Sequence, residues 1–419
     1  MSPTTHFPYR RGRLHCEGVS LATLADAVGT PAYVYSRASL LASYGAYDTA
    51  FKELRHTICY AVKANSNLAV IATLAKAGAG ADIVSGGELH RALRAGVPPS
   101  KIIFSGVGKT REEMRDALKA DILMFNVESL SELRVLDEVA REMGTRAPVA
   151  LRVNPDVDPQ THRYISTGLK TSKFGIPYTQ ALAAYEQAAK LPGLHVVGAQ
   201  MHIGSQLTKS SPFADATARI GALVKTLRER RIEISIVDVG GGLGIRYRDE
   251  TPPSHAEYAT VLLPALKELG VTVLLEPGRS IVGNAGALLT RVLYHKSTDA
   301  KNFVVVDAAM NDLIRPAFYD SYHEILPVTE ARAGAVKETA DVVGPICESG
   351  DFFAKDREMP RAEEGELLAL MSAGAYGFAM ASNYNTRPRP VEVLVDGDRY
   401  TIVRRRETFE DLVAGETTV

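Results

Sequence analysis

A chain of 419 residues with 46% hydrophobic content is long enough for two domains, each with a sizeable core. Its 48 basic and 49 acidic side chains leave a formal net charge of -1, so no global field draws it to nucleic acid or an anionic membrane, and any charged ligand must be recognised locally. Cys16, Cys59 and Cys347 are widely spaced and odd in number, which argues against a disulfide framework or a metal site and fits a reducing cytoplasm.

Residues 1–16 hold Arg10, Arg11 and Arg13 without an apolar run, so no signal peptide is expected, and later apolar stretches are too short for a membrane span. From Ile58 onward an apolar, β-branched run that ends in a polar or glycine cluster recurs, each time followed by a helical stretch. The runs are Ile58–Val62, Ala81–Val84, Lys101–Phe104, Asp121–Phe125, Val149–Val153, Val196–Met201, Ile234–Val239 and Val271–Leu275. Among the helices, Leu130–Met143 carries Leu130, Leu133, Leu136 and Val139 near helical spacing, preceded by Asn126 to Glu128 as capping and first-turn residues. This alternation predicts an α/β fold, an N-terminal (β/α)8 barrel over residues 36–281. After Ile281 the rhythm changes to short strand-like runs: Ala287–His295, Phe303–Asp307, Leu367–Ser372, Val391–Val395 and Tyr400–Arg404. Residues 282–419 are therefore read as a mainly-β domain, to which Tyr33-Val34-Tyr35 from residues 1–35 could add a strand.

Barrels of this kind do their chemistry at the C-terminal strand ends. In order, those ends hold Lys63, then Ser85-Gly86-Gly87-Glu88, then Arg152 and Asn154, then His202-Ile203-Gly204-Ser205, then Gly240-Gly241-Gly242, then Glu276-Pro277-Gly278-Arg279. A partly desolvated Lys63 would be a nucleophile toward an aldehyde; it could equally be a lysine snorkelling at the rim. The triple glycine can bring backbone amides against an anion, or be a tight turn only. Glu276 could face a pyridine nitrogen, or pair with Arg279. His202 could lie on a planar ring, or be an ordinary core histidine. Together, a phosphate nest, a reactive lysine, a ring partner and a flat side chain describe pyridoxal phosphate.

Further on, Cys347-Glu348-Ser349 is flanked by Gly344-Pro345 and Gly350-Asp351, an odd setting for a cysteine; its thiol could donate a proton or be packed and inert. Arg315 and Tyr319, four apart, would share a helix face, and Arg315 could clamp a carboxylate or form a surface ion pair. Gly374-Ala375-Tyr376-Gly377 and Asn383-Tyr384-Asn385 make an aromatic, polar loop or an ordinary turn.

On these motifs the chain resembles the diaminopimelate decarboxylases of the alanine racemase-like, fold-type III group of pyridoxal phosphate enzymes. The resemblance runs through Gly29-Thr30-Pro31, Tyr60–Asn65, His202–Gln206, Gly240–Gly244, Glu276–Arg279, Cys347–Ser349 and Gly374–Gly377. It implies that Lys63 carries the cofactor, His202 stacks on its ring, and Glu276 partners its nitrogen. It implies that Ser205, Gly241, Gly242, Gly278 and the Arg279 backbone hold the phosphate. By the same resemblance Arg279, Arg315 and Tyr319 bind substrate, Glu348 meets its distal amine, Tyr376 touches cofactor and substrate, and Cys347 is the proton donor. The active site would lie at a homodimer interface, with the Cys347 loop coming from the neighbouring subunit. Segment 154–176, containing His162, Thr167-Gly168-Leu169-Lys170 and Lys173-Phe174-Gly175, resembles a lid over the site. The implied reaction is conversion of meso-diaminopimelate to L-lysine and CO2, a step of lysine biosynthesis. Rival readings are a decarboxylase of ornithine, arginine or a carboxylated polyamine, a racemase, a non-catalytic cofactor carrier and a metal-dependent hydrolase. A cationic substrate tail would need an acid but no arginine clamp, and a hydrolase would need more than the single strand-end histidine found.

Overall fold

Eight parallel strands close on themselves in the computed structural model, which describes residues 5–157, 173–331 and 334–419. They are β1 (His56–Ala61), β2 (Gly80–Ile83), β3 (Ile102–Phe104), β4 (Met124–Val127), β5 (Ala147–Asn154), β6 (Leu194–Gln200), β7 (Ile236–Asp238) and β8 (Thr272–Leu275). Each pairs with the next, and β8 returns to β1. All eight apolar runs thus become strands of one (β/α)8 barrel, with helices such as Leu68–Lys76, Gly86–Arg94, Arg111–Lys119, Ser211–Glu229 and His255–Leu269 between them.

The helix after β4 spans Leu130–Glu142 and buries Leu133, Leu136, Val139 and Ala140, the stripe its spacing requires. Its cap differs from the one expected. Ser129, not Asn126–Glu128, accepts from the Glu132 amide, and Asn126 lies inside β4.

Why the barrel has a working end follows from the two-residue repeat of a strand. Cys59, Ile103, Met124, Ala150 and Leu274 pack as one apolar layer, with Ile236 against it. Two residues further along, the same inward face carries Ser105, Asn126, Arg152, Glu276 and Asp238. A dry apolar plug therefore supports a polar layer at the C-terminal strand ends.

The chain divides into two compact units. One comprises Leu41–Ile245 and Thr251–Ile281; the other comprises the described residues up to Leu40, Arg246–Glu250 and Val282–Val419. The second unit is mainly β. The strand Ala32–Ser36, holding the tyrosines read as a strand, lies antiparallel to Gly286–Ser297 and parallel to Val391–Asp396. Leu14, Leu24, Val34, Ala287, Leu289, Met371, Val393 and Val395 fill its core. Among the described residues, six strands of this unit lie beyond the runs picked out from sequence: Tyr9–Arg10, Arg13–Cys16, Val19–Ser20, Ile325–Pro327, Lys337–Val343 and Phe352–Pro360. Charged residues hide Lys337–Val343 and Phe352–Pro360, because Asp341 and Asp356 sit in these strands and both meet Lys301, at 2.9 and 3.1 Å. Among the described residues, no helix is long and apolar enough to cross a membrane.

Candidate active site

Strand β1 ends at Ala61 and gives way to a single turn, Val62–Ala64, that presents Lys63 at the barrel mouth. Its Nζ lies 2.7 Å from Oδ2 of Asp82, which is fully buried in β2, while the lysine side chain keeps 38% of its exposure. Desolvation of the amine is thus only partial, and a buried carboxylate holds it in place. This pairing distinguishes Lys63 from a lysine that merely snorkels at the rim.

Beneath it lies the polar layer. Oε1 of Glu276 accepts from Ser105 Oγ at 3.3 Å, Asn126 Nδ2 at 3.2 Å and Gln200 Nε2 at 3.2 Å. Asn126 Nδ2 also donates to Asp238 Oδ2 at 3.0 Å, which ties the two carboxyl groups together. Burial, reinforced by Asp238 and Asp82, holds the Glu276 carboxyl well above the usual carboxylate range. Burial likewise pushes Asp238 up to about 6. Three buried carboxyl groups face one lysine, so the layer carries more latent negative charge than Lys63 balances. It is also short of donors: Asp82 Oδ1, Asn126 Oδ1 and Gln200 Oε1 are buried with no hydrogen-bond partner among the described residues. A protonated aromatic nitrogen presented to Glu276 would bring one positive charge and one N–H donor to this layer.

The opposite rim is built on glycine. Gly240 and Gly242 have φ of +70° and +118°, and a Cβ on Gly241 would stand 2.2 Å from the Glu276 carbonyl oxygen. The turn is therefore tight because backbones meet there. Neither the Gly242 nor the Gly278 amide donates a hydrogen bond within the protein, among the described residues. Arg279 donates through Nε and Nη2 to Ser205 Oγ at 3.2 and 3.1 Å, bringing the sixth and eighth strand ends together. Among the described residues, no ion pair joins Glu276 to Arg279.

His202 Nδ1 accepts from the Gly241 amide at 3.2 Å, so this nitrogen carries no hydrogen. Burial, with the cations Arg152 and Lys63, holds the imidazole well below its ordinary value, and the ring is neutral. A neutral, flat ring fixed to the glycine turn suits stacking on a planar ligand. The barrel unit thus brings together Lys63, His202, Ser205, Gly241, Gly242, Glu276, Gly278 and Arg279. An amine, a donor-poor carboxyl layer, free amides and a flat ring fit pyridoxal phosphate. Sequence reasoning missed Asp82, Ser105, Gln200 and Asp238, and assigned Asn126 to a cap. Their signal was position: a polar residue two places beyond an inward-facing apolar one.

The β unit holds the remaining candidates. Arg315 and Tyr319 begin and end one short helix, Arg315–Tyr319, as their spacing requires. Arg315 is 5% exposed, which rules out a surface ion pair. Tyr319 is half-buried, with its ring edge-on to Phe318 at 4.7 Å. Cys347 and Glu348 are exposed on the connection between strands Lys337–Val343 and Phe352–Pro360, so the thiol is not a packed core group. Buried Asp351 builds this turn by accepting from the Met310 and Ile346 amides, each at 2.7 Å. Tyr376 has φ of +56°, a costly conformation for a tyrosine. It stands between Gly374 and Gly377, where added Cβ atoms would lie 1.9 Å from Val282 O and 2.4 Å from Ala373 O. Of the segment read as a lid, His162 and Thr167–Lys170 lie outside the described residues.

Comparison with known proteins agrees with this geometry. Residues 37–283 match the family described as pyridoxal-dependent decarboxylase, pyridoxal binding domain. The chain is 56% identical over 411 residues to a diaminopimelate decarboxylase of Pseudomonas aeruginosa, covering 98% of both. It is 50% identical over 410 residues to one of Aquifex aeolicus, covering 97% of this chain and 96% of that one. A crystal structure of the M. jannaschii diaminopimelate decarboxylase in co-complex with L-lysine superposes with a TM-score of 0.95 at 41% identity, over 100% of this chain and 99% of that one. The chain belongs to the diaminopimelate decarboxylase family of pyridoxal-dependent decarboxylases.

Proposed function

We propose that this chain removes CO2 from meso-diaminopimelate and releases L-lysine, using pyridoxal phosphate bound at Lys63. One observation carries the reading: the buried Asp82, Asp238 and Glu276 group beneath Lys63, rich in latent negative charge and with Asp82 Oδ1 unpartnered among the described residues. The cofactor, when bound, supplies an electron sink for the pair released as the carbon–carboxylate bond breaks. Lys63 would hold the cofactor through its aldehyde, and Asp82 holds the Lys63 ammonium when the amine is disengaged. Glu276 would keep the ring nitrogen protonated, His202 would offer its flat ring for stacking, and Ser205, Gly241, Gly242, Gly278 and the Arg279 backbone would hold the phosphate. Tyr376 would contact cofactor and substrate. Arg279, Arg315 and Tyr319 receive substrate carboxylate, and Glu348 its distal ammonium. The Cys347 thiol delivers a proton to the carbon that lost CO2, which completes L-lysine.

The exposed Cys347–Glu348 turn supports a homodimer in which each copy completes the other's site. Free thiols at Cys16, Cys59 and Cys347 suit a reducing compartment such as the cytoplasm. The test is turnover of a substrate panel. Equimolar CO2 and L-lysine from meso-diaminopimelate, with no CO2 from ornithine, supports the assignment; turnover of ornithine in its place overturns it. Mixing inactive Lys63→Ala and Cys347→Ala proteins should restore part of the activity if sites are shared, and none if they are not.

A further inference from the structure

Arg315 is a buried cation of the β unit, and its orientation is set by neighbours that the chemistry above does not use. His323 is fully buried. Its Nδ1 lies 2.8 Å from the Met371 carbonyl oxygen. A carbonyl can only accept, so Nδ1 carries the ring hydrogen. Its Nε2 lies 3.0 Å from Arg315 Nη1, and a guanidinium can only donate, so Nε2 is a bare acceptor. Both neighbours therefore specify one state of the ring: neutral, with its hydrogen on Nδ1. A protonated ring would point an N–H at an N–H and set two cations in contact.

Three further contacts belong to the cradle. The Arg315 guanidinium carbon stands 4.7 Å from the centre of the Tyr247 ring, and the His323 ring meets Tyr247 edge-on at 5.6 Å and 80°. Ser321 Oγ accepts from Arg315 Nη2 at 3.2 Å. The anchor is rigid. Met371 follows the strand Leu367–Leu370, which pairs with the long strand Gly286–Ser297 in the unit's sheet. Arg357 also donates to the His323 carbonyl, at 3.1 Å. The imidazole thus links a guanidinium to the sheet through two hydrogen bonds of fixed sense.

We propose that His323 is a positioning residue for substrate recognition: as a neutral acceptor it fixes the plane of Arg315, so that the guanidinium meets a substrate carboxylate with two parallel hydrogen bonds. This rests on the reading of Arg315 as a carboxylate clamp. A flat bidentate clamp tolerates little rotation, and a misplacement of about 1 Å costs on the order of a hundredfold.

The test compares His323→Asn, His323→Gln and Arg315→Ala as cofactor-loaded enzymes, each judged folded by its melting temperature and cofactor absorbance. Asn can keep the donor to Met371 but falls short of Arg315; Gln can place an oxygen where Nε2 stood. His323→Asn is expected to raise KM for meso-diaminopimelate about tenfold or more while kcat moves far less, and His323→Gln to recover most of that loss. Adding Arg315→Ala to His323→Asn should raise KM no further than Arg315→Ala alone. Wild-type KM in His323→Asn beside a raised KM in Arg315→Ala overturns the role of His323. Wild-type KM in Arg315→Ala instead overturns the clamp itself. Nitrogen-15 NMR of histidine-labelled wild-type enzyme decides the matter if the Asn variant does not fold. A neutral ring with hydrogen on Nδ1 supports the proposal, and hydrogen on Nε2 refutes it.

Discussion

Replacing Glu276 with Gln in the cofactor-free protein removes one of three buried carboxyl groups without changing side-chain size. Burial pushes Asp238 from 3.8 up to about 6, and holds Glu276 well above its ordinary range with help from Asp238 and Asp82. An acid whose folded value is raised contributes stability that is complete below its unfolded value and is lost as pH climbs through the folded one. These two groups should therefore destabilise the empty barrel progressively from about pH 4 to above pH 6. A rise of about two units at about 1.4 kcal/mol each makes Asp238 alone worth about 3 kcal/mol, and removing the neighbouring charge should return about 1–3 kcal/mol at pH 8. The Gln oxygen can still accept from Ser105, Asn126 or Gln200, and its new N–H can be accepted by Asp238 or by the orphaned Gln200 Oε1. Thermal melts of the cofactor-free proteins read the effect. Glu276→Gln should melt about 2–8 °C above wild type at pH 8, with the gap closing near pH 4. A variant that melts at or below wild type at pH 8, or a gap independent of pH, would refute the charge argument.

Three further outcomes follow from the same geometry. Gly241→Ala drives a Cβ to 2.2 Å from the Glu276 carbonyl and should weaken cofactor binding by about tenfold or more in an absorbance titration; unchanged affinity would detach this turn from the phosphate. Cys347→Ala should keep the cofactor absorbance of wild type while kcat falls by about 10²–10⁴-fold, and an unaltered kcat would remove the thiol from the proton transfer. Asp351→Ala strips acceptors from the Met310 and Ile346 amides, so it should cost about 2–4 kcal/mol in denaturant unfolding and lower kcat with it. Stability and kcat both at wild-type level would show that the Cys347 turn does not depend on this carboxylate.

The barrel was legible because each of its strands is an apolar run between helical stretches, a pattern that local sequence carries by itself. Lys63, Glu276 and the triple glycine were legible for the same reason, since they stand at run ends. The polar layer was not. Asn126 and Asp238 lie inside strands, and only the inward alignment with Met124 and Ile236 separates them from residues facing the helices. Asp82 breaks an apolar run without any local motif, and the pairing with Lys63 arises from register between β1 and β2. The hairpin that carries Cys347 was obscured by charged residues whose partner, Lys301, lies far away in the chain. The attachment of Arg246–Glu250 to the β unit likewise depends on long-range packing, with Tyr247 seated against Arg315 and His323.

The most direct measurement is borohydride reduction of the purified, cofactor-loaded protein, followed by proteolysis and mass spectrometry. A pyridoxyl group on the peptide containing Lys63, absent from Lys63→Ala, is the expected result. The same label on a different lysine, or on none, contradicts the assignment of this barrel mouth as the catalytic site.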